Sequence, residues 1–182
     1  DCRLRIDELN KKHNGTMYIT QGFIGGTISP KTTTTLGREG SDFTAAIFAN
    51  CLDAEEVTIW KDVDGLRNAD PKRFSETKKI SHLSYLEAIE LAFYGASIIH
   101  PKTLKPLQNK NIPLKVKSFL DTSLKPTIID NTKEYIEYVP SYIVKERQTL
   151  MSITARDYSF MDEHNRAVIF NIMDELNLHA NM

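Results

Sequence analysis

Strand-like and helix-like stretches alternate along this chain at the spacing of βαβ units, and that alternation limits the fold more than any other feature. Residues 1–14 read as the end of an amphipathic helix, with Leu4, Ile6 and Leu9 on its apolar face and Asn14-Gly15 as the stop. Residues 17–24 (MYITQGFI) are apolar, aromatic and β-branched, which predicts a buried strand ended by Gly25-Gly26. A helix over about 41–53 follows, capped by Ser41 or Asp42 and burying Phe43, Ala46, Ile47 and Leu52. Then come a strand at 56–63, a helix at 84–94 closed by Gly95, a helix opened by His100-Pro101, and a strand at 112–119. This order predicts a largely parallel sheet. From 121 to 146 the pattern weakens around Pro126 and Pro140, which predicts edge strands and a linker. A fresh unit starts with a strand at 148–155 (QTLMSITA), a loop and a helix at 163–176. One strand and one helix cannot close a core, so this last unit reads as incomplete.

The bulk numbers narrow the partners. The chain has 182 residues, 41% hydrophobic, with 23 basic against 24 acidic side chains and a net charge of -1. Such a balance gives no general pull toward nucleic acid or an anionic membrane, so an anionic ligand needs a local site. Cys2 and Cys51 are far apart and lack metal-ligand spacing, as expected of a reduced, cytoplasmic protein. No apolar run approaches the ~20 residues of a membrane span. The N-terminus has no signal pattern and no starting Met, as a piece of a longer chain would.

Three stretches carry the chemistry. In TTTTLGREGSD (32–42), glycines precede a helix start, where free amide groups and the helix dipole favour anions. Arg38 adds a fork suited to carboxylate or phosphate, and Asp42 could orient a nucleophile or answer an ammonium group. The plainer reading is a capped helix after a solvated loop. In KDVDGLRNADPK (61–72), polar residues follow a strand, at the edge where open α/β sheets bind ligands. Lys61, Arg67 and Lys72 could reach phosphates there, or the stretch could be a pair of Asx turns. Its acidic spacing does not fit an EF-hand. In YGASIIHPK (94–102), His100 reads as a packed, hydrogen-bonded residue rather than a catalyst, and no second ligand stands at zinc spacing.

Taken together and in this order, QGFIGG, TTTTLGREGSDFTAA, IWKDVDGLRNADPK, SYLEAIELAFYGASIIHPKTL and IPLKVKSF resemble the aspartokinases over about residues 21–119. The C-terminal segment from Gln148 is similar to the start of an ACT domain. The resemblance implies a partial three-layer α/β/α sandwich of the amino-acid-kinase type over 1–146, followed by an incomplete ACT-like βα unit over 147–182. It implies transfer of the γ-phosphoryl group of ATP, with Mg, to the side-chain carboxylate of L-aspartate. The product, 4-phospho-L-aspartate, would enter lysine, threonine and methionine synthesis under ACT-mediated feedback by lysine or threonine, in a homodimer or larger homo-oligomer. Arg38 matches the residue gripping the substrate carboxylate, and Ser41 and Asp42 match positions at the aspartate and transferring phosphate. Arg38 and Asp42 would thus be catalytic, and Phe23 would line the substrate pocket. Lys61, Asp62, Arg67, Lys72 and Ser97 fall at nucleotide-contacting positions. The alternatives are another amino-acid kinase, or a non-catalytic module that binds amino acids or dimerises.

The chain departs from the family pattern in several places. Glu39 replaces a usual Gly, Lys61 a Thr, Arg67 a Tyr and Lys72 an Arg. Ser97 stands where a nucleotide-binding Lys is usual, and Lys61, Arg67 or Lys102 would have to substitute. The family's KFGGTS phosphate loop, and the acidic residue for the substrate amino group, do not occur in these 182 residues. The expectation is therefore that this chain alone does not phosphorylate aspartate.

Overall fold

The computed structural model describes residues 2–12, 17–37, 40–96, 99–132, 139–155 and 160–178. The chain divides into two compact units, 1–144 and 145–182.

The first unit is built on a mixed sheet whose strands lie in the order β3 (Val57–Lys61), β5 (Leu114–Ser118), β6 (Thr127–Asp130), β4 (His82–Ser84). β3 runs parallel to β5, and β4 runs parallel to β6. β5 and β6 are antiparallel. Parallel neighbours need a crossover, and the helices supply it. α2 (Gly40–Leu52) precedes β3, while α3 (Tyr85–Tyr94) and α4 (Pro101–Gln108) lie between β4 and β5 in sequence. One face of the sheet is apolar: Val57, Ile59, Leu83, Leu114, Val116 and Ile129 bury against Ala46, Ala49, Ala88, Leu104 and Leu107 of the helices. Burying each Leu, Ile or Val side chain stabilises by about 1.5–3 kcal/mol, so this face is the main source of cohesion. The alternate residues Thr58, Trp60, Lys115, Lys117 and Ile128 are half-buried or exposed.

Helix ends follow their sequence signals. Ser84 caps α3 through a reciprocal capping box with Glu87, and Gly95 closes it at φ 118°. His100 caps α4, its Nδ1 accepting from the Lys102 N–H at 3.1 Å, with Pro101 in the first turn. It is thus the hydrogen-bonded residue expected. Asn50 Nδ2 donates to the Pro106 carbonyl at 2.7 Å and ties α2 to α4. Tyr85 is fully buried and donates its hydroxyl to the Ile112 carbonyl. Burial, aided by the charge of Asp130, pushes its phenol up to about 12.

Three elements differ from expectation. Residues 17–21 form no strand, and Met17 and Ile19 are exposed. Only β1 (Ile24–Gly26) finds a ladder, antiparallel with β2 (Thr33–Thr35). Thr127–Asp130 is not an edge strand but sits between β5 and β4. Residues 148–155, expected as a strand, form none. A strand needs a partner ladder, and the described residues of the second unit contain only the helix α5 (Glu163–Glu175). Asp162 caps that helix, accepting from the Asn165 N–H at 2.8 Å. α1 (Cys2–Lys12) precedes the sheet, buries Ile6 and places Arg3 on Asp53 at 2.7 Å. No helix among the described residues is long and apolar enough to cross a membrane.

Candidate functional site

The site gathers where strand ends meet a helix start. β3 and β5 run in parallel register, Lys61 opposite Ser118, so their C-terminal ends emerge side by side. The Phe119 N–H extends this pairing to the Lys61 carbonyl at 3.0 Å. Ser118 Oγ then accepts from the Leu120 N–H at 3.2 Å and turns the chain away. This is the edge at which open α/β sheets bind ligands.

α2 brings Asp42 to that edge. Asp42 sits in the first turn, where the helix dipole favours a negative charge. Its Oδ2 lies 2.7 Å from Lys61 Nζ, and the two side chains retain only 12% and 27% of their exposure. Residues 19 apart in sequence thus form one charge-assisted contact. Asp42 fixes the ammonium at the strand end, and the ammonium neutralises a carboxylate that would otherwise repel an anionic ligand.

The loop before α2 lies on the same turn. A Cβ on Gly22 would stand 2.8 Å from Ser41 Cα, and one on Gly40 would stand 2.6 Å from Phe23 Cδ2. Phe23 and Ser41 are both exposed. Four expected site residues therefore come together: Phe23, Ser41, Asp42 and Lys61. Arg38 and Ser97 lie outside the described residues.

Beyond β3 the candidates separate. Asp62 is exposed. Arg67 is closed by a bidentate fork to Asp64, with Nε–Oδ1 at 3.1 Å and Nη2–Oδ2 at 2.8 Å. Its Nη1 donates to the Thr77 carbonyl at 3.1 Å and to Thr77 Oγ1 at 3.0 Å. A guanidinium held on both sides staples its loop rather than reaching outward. Asp70 shapes the next turn, accepting from the Lys72 N–H at 2.9 Å and leaving Lys72 exposed. Among the described residues, neither Arg67 nor Lys72 bonds to the Asp42–Lys61 pair.

Sequence reasoning missed Thr44. Its Oγ1 donates to the Gly40 carbonyl at 2.6 Å and accepts from the Phe23 N–H at 3.0 Å. The Gly-x-x-x-Thr spacing was the available signal, since a helical Thr often bonds back to the carbonyl four residues earlier.

No three His, Cys, Asp or Glu side chains cluster among the described residues in a way that could hold a metal ion. The carboxylates at this strand end are Asp42, paired with Lys61, and the exposed Asp62, and magnesium commonly takes only one or two carboxylates, the rest of its shell being water and phosphate oxygens.

The model of the amino acid kinase family matches residues 3–118. The chain is 36% identical over 178 residues to the lysine-sensitive aspartokinase 3 of Escherichia coli K12, covering 96% of this chain and 38% of that protein. It spans less than two fifths of that relative's length. The structure of E. coli aspartokinase III in complex with aspartate and ADP superposes with a TM-score of 0.68 at 41% identity, over 73% of this chain and 30% of that one. Clostridium acetobutylicum aspartate kinase gives a TM-score of 0.64 at 29% identity, over 74% and 30%. These superpositions carry the fold of the amino acid kinases over to the sheet and helices described above. The chain belongs to the amino acid kinase family, and it is to the aspartokinases of that family that it is similar along nearly its whole length.

Proposed function

We propose that this chain supplies part of the reaction centre of an aspartate kinase, which transfers the γ-phosphoryl group of ATP to the side-chain carboxylate of L-aspartate. The carrying observation is the Asp42–Lys61 pair, joining the first turn of α2 to the C-terminal end of β3. The chemistry suits such a site. A side-chain carboxylate is already ionised near neutral pH, so the nucleophile needs no general base. One of its oxygens forms a bond to the γ-phosphorus while the bond from that phosphorus to the bridging oxygen breaks, giving 4-phospho-L-aspartate and ADP. What remains for the protein is alignment and neutralisation of charge.

In this reading, Lys61 faces the negative charge of the phosphates and Asp42 holds it there. Ser41 and the first-turn amides of α2 receive anionic oxygen, and Phe23 walls the aspartate side. Arg38 holds the substrate carboxylate, and Asp62, Lys72 and Ser97 lie along the nucleotide. Arg67 shapes the nucleotide loop through Asp64 and Thr77. Magnesium on the ATP phosphates would supply further neutralisation. The relative's lysine sensitivity, and the complex of E. coli aspartokinase III with lysine and aspartate, support an ACT-type regulatory role for residues 147–182. The effector would be lysine or threonine, and the protein a cytoplasmic homo-oligomer serving lysine, threonine and methionine synthesis.

The test is ADP release by the full-length gene product. Turnover should require both aspartate and magnesium, and glutamate should not replace aspartate. The 182-residue chain alone should show no such turnover, because the family's KFGGTS phosphate loop and the acidic residue for the substrate amino group do not occur in it. Activity with glutamate or a nucleoside monophosphate in place of aspartate would redirect the reading to another kinase of the family.

A further inference from the structure

Phe23 lies in the left-handed backbone region, at φ 72°. A bulky residue stays there only where its surroundings over-determine it. Here they do. Thr44, buried on α2, accepts from the Phe23 N–H at 3.0 Å, and Leu36 donates to the Phe23 carbonyl at 2.8 Å. The proton of the Thr44 hydroxyl goes to the Gly40 carbonyl at 2.6 Å, which leaves its lone pairs aimed at Phe23. The ring occupies the space a Cβ on Gly40 would take, with that Cβ only 3.0 Å from Phe23 Cα. Gly22 meets the backbone of Ser41 in the same way. Yet the side chain so firmly held stays 46% exposed. An unfavourable backbone whose ring is left half in solvent does little for the core.

We propose that Thr44 is a positioning residue for substrate recognition, its hydroxyl holding Phe23 in the left-handed conformation so that the ring stands as a fixed wall on the first turn of α2. Gly40 and Gly22 act with it by leaving room for the approach. The proposal rests on the aspartate-kinase reading above.

The experiment compares Thr44→Val with Thr44→Ser in the full-length gene product. Valine matches threonine in shape and lacks the acceptor, whereas serine keeps it. Thr44→Val should raise the KM for aspartate about tenfold, the scale of one buried group left without its partner. The KM for ATP and kcat should move by less than about twofold. Thr44→Ser should restore the wild-type KM. Phe23→Gly should hold or raise Tm, because glycine adopts this φ freely, and still raise the aspartate KM. Adding Thr44→Val to Phe23→Gly should then change the KM no further. Equal behaviour of the valine and serine variants, parallel rises in both KM values, or additive effects in the double variant would overturn the positioning role. Wild-type protein without aspartate-dependent turnover would overturn the kinase reading instead. In that case the contact is read by exchange of the Phe23 amide: slow in wild type and Thr44→Ser and faster in Thr44→Val, with equal rates refuting it.

Discussion

Asp42–Lys61 and Asp64–Arg67 are both acid–base contacts, 2.7 and 2.8 Å long, in or beside the same sheet edge. The first joins a helix to a strand across 19 residues, and the second closes a loop across three. Among the described residues, Lys61 Nζ has a single side-chain partner, Asp42, which it can exchange for a phosphate oxygen while helix and strand stay in place. Arg67 would have to abandon Asp64 and both Thr77 oxygens. Position in a ligand-binding edge does not by itself make a cation available; the number and type of its existing partners decides that.

The largest expected effect tests this directly. Lys61→Met should lower kcat/KM of the full-length enzyme by roughly 10²–10³, the range seen when one preorganised group facing developing charge is removed. Asp42→Asn should fall almost as far, and the double variant should lose little more than the worse single one, because the two act as a unit. Steady-state kinetics with ATP and aspartate would measure all three. Full additivity would dissolve the pair into two independent contacts.

Arg67→Ala should separate structure from chemistry in the opposite sense. Loss of the fork should cost about 1 kcal/mol of stability, the upper range for a partly exposed pair, in urea unfolding. Nucleotide KM should change by less than about tenfold. A loss in kcat/KM matching that of Lys61→Met would place Arg67 on the phosphates after all.

Two titrations give smaller, conditional effects. The raised phenol of Tyr85 adds stability that is fully present below its unfolded value, about 10, and is lost as pH climbs through about 12. Tyr85→Phe should flatten that alkaline loss while lowering stability at neutral pH, read by thermal unfolding across the range. Asp130 runs the other way. Burial would raise its carboxyl, but the Thr132 N–H and His82 outweigh burial and hold it below the usual carboxylate range. Its contribution is present above the unfolded value, about 3.9, and is lost as pH falls through the folded one. Asp130→Asn should therefore reduce the acid-side fall in the urea midpoint, and an unchanged slope would remove Asp130 from the account.

Much of the fold was legible because its signals are local. Ser84, Gly95 and His100-Pro101 mark helix ends by backbone chemistry that acts within a few residues. Strand order is different. Thr127–Asp130 has only four residues and follows a proline, so nothing in its own sequence tells that it sits between β5 and β4. His82–Ser84 is shorter still and runs directly into α3. Residues 148–155 and 17–21 carry β-branched side chains, but propensity without a ladder partner makes no strand. At the site, the helix-start and strand-end motifs were visible, and their meeting through Asp42 and Lys61 was not. The Asp64–Arg67 fork lay in plain view at i, i+3, but the Thr77 contacts that complete it come from ten residues away.

The insertion of β6 between β5 and β4 has a consequence for synthesis of the chain. Among the described residues, β6 is the sole strand partner of β4, and β5 pairs only with β3 until residues 127–130 arrive. While the chain is being made, β4 must wait for a segment more than forty residues downstream, and β5 keeps an open edge from its own synthesis until β6 is made. An unpaired edge is a template for other nascent chains. A nascent chain halted within that interval, before residue 127, would leave β4 without its partner strand and open to pairing with another chain.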